Sequence, residues 1–335
     1  MIRYIIRRLL ASVLVVWVIS LVTFVIFQIT PKILHQSLAY YYVGKIPPNP
    51  EGLAAVNHRF GFDLPWYRQY FNYVGGIFSG RTIDDGSGTV LHCNAPCLGY
   101  SFRQNLPVTR LLSDAIPVSA SLAIGAGILW LVGGVTVGAI SALKRGSLVD
   151  RVSMGIALGA VSLPIFFTGP ILLLIFSYKL AWLKDMHYVN FTDNPLEWAK
   201  NLILPWVALA FLFAALYARL TRANMLETMS EDYIRTARAK GLSRRAVVIK
   251  HGLRAALTPI VTIFGIDIGT LIGTTVITET VFNLHGLGKL SVDAIRSQDL
   301  PIVLGVTIVA SIAVVLSNLV VDVVYAVVDP RVSYS

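Results

Sequence analysis

Long apolar runs dominate the pattern of hydrophobic and polar positions along the chain. A helix rises ~1.5 Å per residue, so about 20 apolar residues cross a hydrocarbon core ~30 Å thick. A helical bundle in water would interrupt such runs with a polar face at nearly every turn. Runs without Asp, Glu, Lys or Arg, which we predict to be membrane-spanning helices, cover residues 9–31, 115–143, 152–178, 201–218 and 300–321.

A sixth run, residues 255–278, is apolar except for Asp267. One carboxylate does not overturn so long an apolar segment, because intramembrane acids do occur where they face a helix bundle or a water-filled cavity. Asp267 is expected either to hold helices together by a hydrogen bond or to line a substrate path. The predicted fold class is an all-α integral membrane protein with six transmembrane helices and a large external loop after the first helix.

These runs divide the chain into three segments. Residues 1–31 hold the N-terminus and the first transmembrane helix, residues 32–114 form the external loop region, and residues 115–335 form a five-helix core. Lys and Arg concentrate in the short loops that remain on the cytoplasmic side of a membrane. Their richest cluster here lies within a loop at 222–254. The distribution predicts a bacterial cytoplasmic (inner) membrane protein with both termini in the cytoplasm.

Composition agrees with a membrane environment, since 55% of the residues are apolar and only 14% are charged. The formal net charge of +10 could indicate nucleic-acid binding. Much of the positive charge, however, lies in the predicted cytoplasmic loop, where anionic membrane lipid and a protein partner explain it more simply. We therefore expect no nucleic-acid partner.

The external segment contains the only two cysteines of the chain, Cys93 and Cys97. They lie in a glycine-rich stretch on the side of the membrane where oxidation is permitted, so we predict a disulfide between them. His92 is adjacent, but a metal site needs more ligands than these three residues provide, and no metal site is predicted. Upstream, the Asp63-Leu-Pro-Trp-Tyr sequence predicts a short surface helix that packs at the membrane interface.

The predicted cytoplasmic loop has the local chemistry of two helices separated by a break. Ser230 is expected to cap the first helix, Asp232 to suit its positive N-terminus and Lys240 its negative end. Gly241 can then adopt the left-handed conformation that ends a helix, and Ser243 can cap the next one. The chain should turn sharply at Gly241.

The first of these helices has features of a docking element. Ala237 and Ala239 are small enough for another protein to approach closely, and Arg235 and Arg238 offer charged contacts around them. A solvated amphipathic loop is the alternative, because charge-rich segments are often only solvated surface.

This segment resembles the EAA loop of ATP-binding-cassette (ABC) importer permeases, in which three signature residues precede a glycine. The corresponding window is Arg235, Thr236, Ala237 and then Gly241, and two of the three signature residues differ from the usual Glu-Ala-Ala. The segment 232–241 is more similar to the form in dipeptide and oligopeptide importer permeases, as is Glu279-Thr-Val-Phe. Residues implied to couple to an ATPase are Glu231, Asp232, Tyr233, Arg235, Thr236, Ala237, Arg238, Ala239 and Gly241. The resemblance departs at residues 82–97, which look like an insertion.

The resemblance implies a specific set of partners. A second homologous permease would complete the translocation path, two cytoplasmic ABC ATPase subunits would power it, and an external substrate-binding protein would deliver cargo. Asp267 and Glu279 are candidates for residues that line this path, and the resemblance does not decide whether Asp267 lines it or packs helices. The chain itself has no phosphate-binding loop, since its nearest string, Asn283-Leu-His-Gly-Leu-Gly-Lys-Leu, lacks the first glycine and the final hydroxyl. We therefore expect no cofactor and no enzymatic activity on this chain. ATP and Mg would bind to the partner ATPases.

Two alternatives remain open from the sequence. Related permeases carry glutathione or nickel, so a peptide cargo is an expectation from the resemblance alone. A stand-alone, ion-coupled transporter would use Asp267 as its proton site. The predicted spans hold no second acid to act with Asp267 in such a mechanism.

Overall fold

A computed structural model describes residues 2–33, 57–58, 61–84, 90–101, 103–183 and 187–328. Most of these residues are helical. The α-helices that we number within these ranges, in chain order, are α1 (Ile2–Ile33), α2 (Trp66–Ser79), α3 (Val108–Leu143), α4 (Leu148–Ser162), α5 (Ile165–Leu172), α6 (Pro195–Thr228), α7 (Asp232–Ala239), α8 (Arg244–Ala246), α9 (Arg254–Thr274), α10 (Val276–Val281), α11 (Leu287–Ser297) and α12 (Leu300–Val328). Seven-residue π-helical segments follow α5 (Leu173–Lys179) and α8 (Val247–Leu253).

The apolar runs form helices long enough to cross a membrane. Among the described residues there are five such helices, or six if one bent pair is counted as a single span. The five spans are Ile6–Phe27, Val108–Leu143, Pro195–Thr228, Arg244–Gly269 and Leu300–Leu319. The predicted all-α membrane fold is therefore confirmed.

The third predicted span is not one straight helix. α4 and the helical segment Ile165–Lys179 are bent by 106° at a short break. The break contains Pro164, which has no backbone N–H and disfavours helical geometry in the residue before it. Leu163 accordingly has extended angles, φ −102° and ψ 108°. The continuous run 152–178 therefore contains two helices that meet at a corner.

The chain divides into two compact units. The first comprises Met1–Val118 and His285–Leu316, and the second comprises Ser119–Leu284 and Ser317–Ser335. α3 and α12 each contribute residues to both units. The coupling segment expected from the sequence lies entirely in the second unit.

In the first unit, α2 packs against α1. The hydroxyl oxygens of Ser20 and Tyr70 lie 2.8 Å apart, and the Phe24 and Tyr70 rings meet edge to face. α2 begins directly after Pro65, as the sequence predicted. Its Phe71 side chain remains exposed, and its position at a membrane interface stays a prediction.

The segment expected to be an insertion forms a small hairpin in the first unit. Strand β1 (Arg81–Asp84) pairs antiparallel with β2 (Val90–Cys93), with Arg81 opposite Cys93. A disulfide joins Cys93 to Cys97 directly after the hairpin. A second two-stranded pair, β3 (Tyr100–Ser101) and β4 (Leu106–Pro107), leads into α3.

In the second unit, α3 lies close against α6. A Cβ atom added at Gly134 would lie 2.6 Å from the Cβ of Tyr217 and 2.9 Å from the carbonyl oxygen of Ala214. One turn further along α3, Gly138 makes an equally close approach to α6. Small residues four positions apart allow two membrane helices to pack backbone to backbone. The ring of Trp130 fills the adjacent space by stacking on Phe213, with centroids 4.6 Å apart.

Candidate functional site

The predicted helix, break and helix are present at the end of α6. α7 covers Asp232–Ala239, and Gly241 follows with a φ of +77°. The left-handed conformation predicted for Gly241 is therefore confirmed, and its N–H donates to the carbonyl oxygen of Arg238 at 3.0 Å. Ser243 caps the next helix, as predicted, by accepting a hydrogen bond from the N–H of Ala246 at 3.3 Å.

The cap predicted for the start of α7 is wrong. The Ser230 hydroxyl donates to the carbonyl oxygen of Glu227 at 2.6 Å, and Glu231 occupies the N-cap position without a side-chain cap bond. The physical reason is that α6 continues to Thr228, so Ser230 falls in the turn that closes α6. The local pattern could not show how far the preceding helix extends.

One face of α7 packs against the rest of the second unit. Ile234 is 0% exposed and Ala237 is 8% exposed, and both pack with Val247 and Met229. Ala237 was expected to let a partner protein approach closely. Its small side chain instead serves packing within this chain, where its neighbours leave little room.

The opposite face of α7 is open. Arg235 and Asp232 form an ion pair at 3.4 Å, but both side chains are largely exposed, so the pair contributes little to stability. Partial burial, followed by the charge of Glu231, raises the pKa of Tyr233. Residues predicted to couple to a partner and exposed in this structure are Glu231, Asp232, Tyr233, Arg235, Thr236, Arg238, Ala239 and Gly241.

A pocket of about 490 Å³ opens beside α7. Most of its wall is apolar, and Arg238 and Arg244 contribute the positive charge. The remaining lining residues are Ala142, Leu143, Met225, Leu226, Met229, Leu242, Val247 and Val248. α7 is thus backed by an adaptable apolar surface that includes two methionines.

Sequence reasoning missed an ion pair that joins a buried acid to a partly exposed arginine of α6. Asp150, in the first turn of α4, is 4% exposed and pairs with Arg222 of α6. Ser147 caps α4 by accepting from the N–H of Asp150 at 3.3 Å. That capping pattern was visible in the sequence, but it does not reveal a partner 72 residues away.

The two residues expected at the translocation path lie in different environments. The Tyr217 hydroxyl donates to Asp267 at 2.7 Å and so joins α6 to α9, which supports the helix-packing alternative for this acid. Glu279 is fully buried and accepts hydrogen bonds from Ser119 at 2.6 Å and Thr275 at 2.8 Å. Its carboxylate is enclosed by neighbouring helices in this structure, and its place at the translocation path stays a prediction.

Two family models match the chain. The model described as "Binding-protein-dependent transport system inner membrane component" matches residues 134–334. The model for the N-terminal part of such membrane components matches residues 1–123. Between them they cover nearly the whole chain.

Curated relatives match over almost their full length. The di/tripeptide transport system permease protein DppB of Pseudomonas aeruginosa is 34% identical, over 100% of this chain and 99% of the relative. The dipeptide transport system permease protein DppB of Escherichia coli K12 is 32% identical, with the same coverage. A putative peptide transport system permease protein of Brucella abortus is 34% identical over 98% of each chain.

A solved structure supports the fold. A chain of the MetNI methionine ABC transporter, in an inward-facing conformation, superimposes with a TM-score of 0.51 at 19% identity. The match covers 66% of this chain and 97% of that chain. Together with the family models and the full-length relatives, it confirms the resemblance found in the sequence. The chain belongs to the inner-membrane permease components of binding-protein-dependent ABC transport systems.

Proposed function

We propose that this chain is one of two permeases in an ABC importer for peptides. The named relatives that match it over their whole length are peptide, dipeptide or di/tripeptide permeases, and this supports the cargo class. A second homologous permease completes the path. A substrate-binding protein delivers cargo from outside, and both chain termini lie in the cytoplasm.

The proposal assigns ATP and Mg to two partner ATPase subunits and makes α7 the element that docks on one of them. The observation that carries this assignment is the two-sided character of α7. Ile234 and Ala237 pack its inner face against the rest of the second unit, while Tyr233, Arg235 and Arg238 are exposed on the other side. A helix whose inner face is packed against the protein can transmit a displacement of its partner to the membrane helices. A flexible loop would change conformation instead and would not transmit it.

The movement follows from the connection of α7 to α6. Only the turn around Met229 separates the two helices, and Met229 packs against the Ile234 cluster. When ATP binding closes the ATPases, α7 moves with them and carries α6 along. The membrane helices then open the path outward, and hydrolysis resets them.

Replacing Gly241 with Val tests the docking role. A β-branched residue in the left-handed conformation costs roughly 1–2 kcal/mol, so the turn should relax and tilt α7. We expect ATPase affinity to fall about ten-fold, the equivalent of that energy, with a matching loss of uptake. Insertion in the membrane should be unchanged, because the region around Gly241 is open and no packing is lost. Pull-down of co-expressed ATPases and vesicle uptake measure both effects.

Gly241→Asn is the matched control, since Asn tolerates the left-handed conformation far better than Val. It should retain most of the ATPase binding and uptake. The chain purified alone should not hydrolyse ATP. Wild-type affinity and uptake in Gly241→Val would mean that this loop is a solvated connector.

A further inference from the structure

The Asp150 carboxylate and the Arg222 guanidinium make a two-point contact. Arg222 Nε donates to Oδ1 of Asp150 at 2.7 Å, and Arg222 Nη2 donates to Oδ2 at 2.9 Å. Parallel N–H donors on a planar guanidinium match the two oxygens of a carboxylate. The contact therefore defines orientation as well as distance.

The same carboxylate also holds the turn between α3 and α4. The Ser141 hydroxyl, near the end of α3, donates to Oδ1 of Asp150. The N–H of Gly146 donates to Oδ2 at 2.9 Å. Asp150 is thus the junction of α3, the turn and α4 on one side and α6 on the other, all within the second unit.

Arg222 lies on the side of α6 that leads to α7. Arg222, Met225 and Met229 are spaced three and four residues apart, so they share one face of the helix. Met225 is buried against Ala142 at the end of α3, and Met229 contacts the cluster that anchors α7. One helix face therefore contacts α3, the Asp150 junction and α7.

We propose that the Asp150–Arg222 pair transmits movement of α7 and α6 to α3 and α4. This proposal rests on the docking role of α7 argued above. Apolar contacts such as Met225 with Ala142 are non-directional and can slide. A bidentate pair resists such movement, because a displacement of about 1 Å along the bonds takes both beyond hydrogen-bonding distance, and a sideways displacement disturbs their parallel alignment. α6 and the α3–α4 turn must move together while the pair is intact.

Stability alone does not account for the pair. Asp150 is buried and the Arg222 side chain is 27% exposed, and such a pair is weak evidence for stability because desolvation of the buried charge offsets part of the attraction. α3 and α6 are also already in close contact through Gly134 and Gly138. The pair adds a directional constraint to helices that are packed without it. Arg222 and Asp150 are accordingly positioning residues in the transport cycle.

The test measures ATP hydrolysed per cargo molecule transported by the complete complex in proteoliposomes. The Asp150→Asn/Arg222→Gln double variant leaves no unpaired charge and should still assemble with the ATPases. Its uptake should fall about ten-fold while its ATPase rate stays within about two-fold of wild type, a size typical of energetic coupling between sites. Arg222→Lys keeps the charge but not the planar fork, and it should give an intermediate ratio.

Arg219→Gln is the matched control, since Arg219 is an exposed arginine of the same helix. Its ratio should equal that of the wild type. An unchanged ratio in the double variant would overturn the transmission role. If the double variant fails to assemble, Arg222→Lys provides the test. The same number of ATP molecules hydrolysed per cargo molecule in Arg222→Lys as in the wild type would likewise overturn the proposal. A wild-type complex without ATP-dependent uptake would instead contradict the proposed function itself.

Discussion

At the scale of single residues, buried carboxylates show how this chain keeps acids among apolar helices. Glu279 accepts from two hydroxyls, and Asp150 faces an arginine. Asp299, just before α12, is 2% exposed and accepts a hydrogen bond from Ser101. Each acid has donors, because an unpaired buried polar group costs far more than the net gain from an ordinary hydrogen bond.

We expect Asp299 to make the stability of the first unit depend on pH. Burial raises the pKa of its carboxyl above the ordinary 3.8, although the Ser101 bond and Arg103 oppose the shift. A raised pKa in the folded state contributes stability that is fully present below 3.8 and is lost as the pH rises through the folded value. Asp299→Asn keeps a neutral acceptor and should remove this loss.

Thermal unfolding in detergent between pH 4 and pH 8 measures this effect. The melting temperature of Asp299→Asn relative to wild type should rise with pH. Asp63 provides the control, because its His58 hydrogen bond lowers the pKa of that exposed carboxyl. Asp63→Asn should not show the same upward trend. A difference between Asp299→Asn and wild type that falls with increasing pH would contradict the assignment.

At the scale of elements, the contact between α3 and α6 depends on glycine. Gly134 faces α6 so closely that an added Cβ would overlap Tyr217. Gly133, its neighbour in the same helix, has open space around its Cβ direction. The apolar pattern predicted both helices, but it could not say which glycine faces α6, since lipid-facing and helix-facing positions are equally apolar.

Gly134→Val should push α6 away from α3. We expect a destabilisation of about 1–3 kcal/mol, as is typical of overpacking, and weaker assembly with the second permease. Gly133→Val is the matched control and should have little effect, because the same side chain enters open space. Melting temperatures and the yield of assembled complex measure the difference. Equal behaviour of the two variants would show that the close approach is not needed.

At the scale of the whole molecule, orientation in the membrane decides which surfaces meet which partners. Under the proposed function α7 faces the cytoplasm, where it docks on an ATPase, and the hairpin with its disulfide faces outward. The distribution of Lys and Arg supports the same arrangement. With the bent pair counted as one span, α2, whose residues lie between the first and second spans, belongs to the external side in this proposal.

Reporter cysteines test this orientation. Asn72 on α2 and Arg235 on α7 are both exposed, and Cys93 and Cys97 are joined in a disulfide that does not react with maleimides. In spheroplasts, a membrane-impermeant maleimide should label Asn72→Cys. It should label Arg235→Cys only after the membrane is opened. The reverse pattern would overturn the proposed topology.

The sequence by itself determined the features that depend on length and local chemistry. An apolar run long enough to cross lipid must form a helix, since no water satisfies its backbone. Gly241 ends α7 because glycine enters the left-handed region without steric cost, and Ser243 caps the helix that follows. The segment around Gly241 also carried the resemblance that the full-length relatives confirmed.

Only the tertiary structure decided which side chains meet. Ala237 faces inward because Val247 and Met229 lie behind it, Glu279 is buried, and Asp150 pairs with Arg222 from a distant helix. The physical reason is that the apolar pattern distinguishes segments in the membrane from segments in water. It does not distinguish positions that face lipid from positions that face a neighbouring helix. Long-range partners are selected by the packing of the folded helices, and that packing cannot be derived from local spacing.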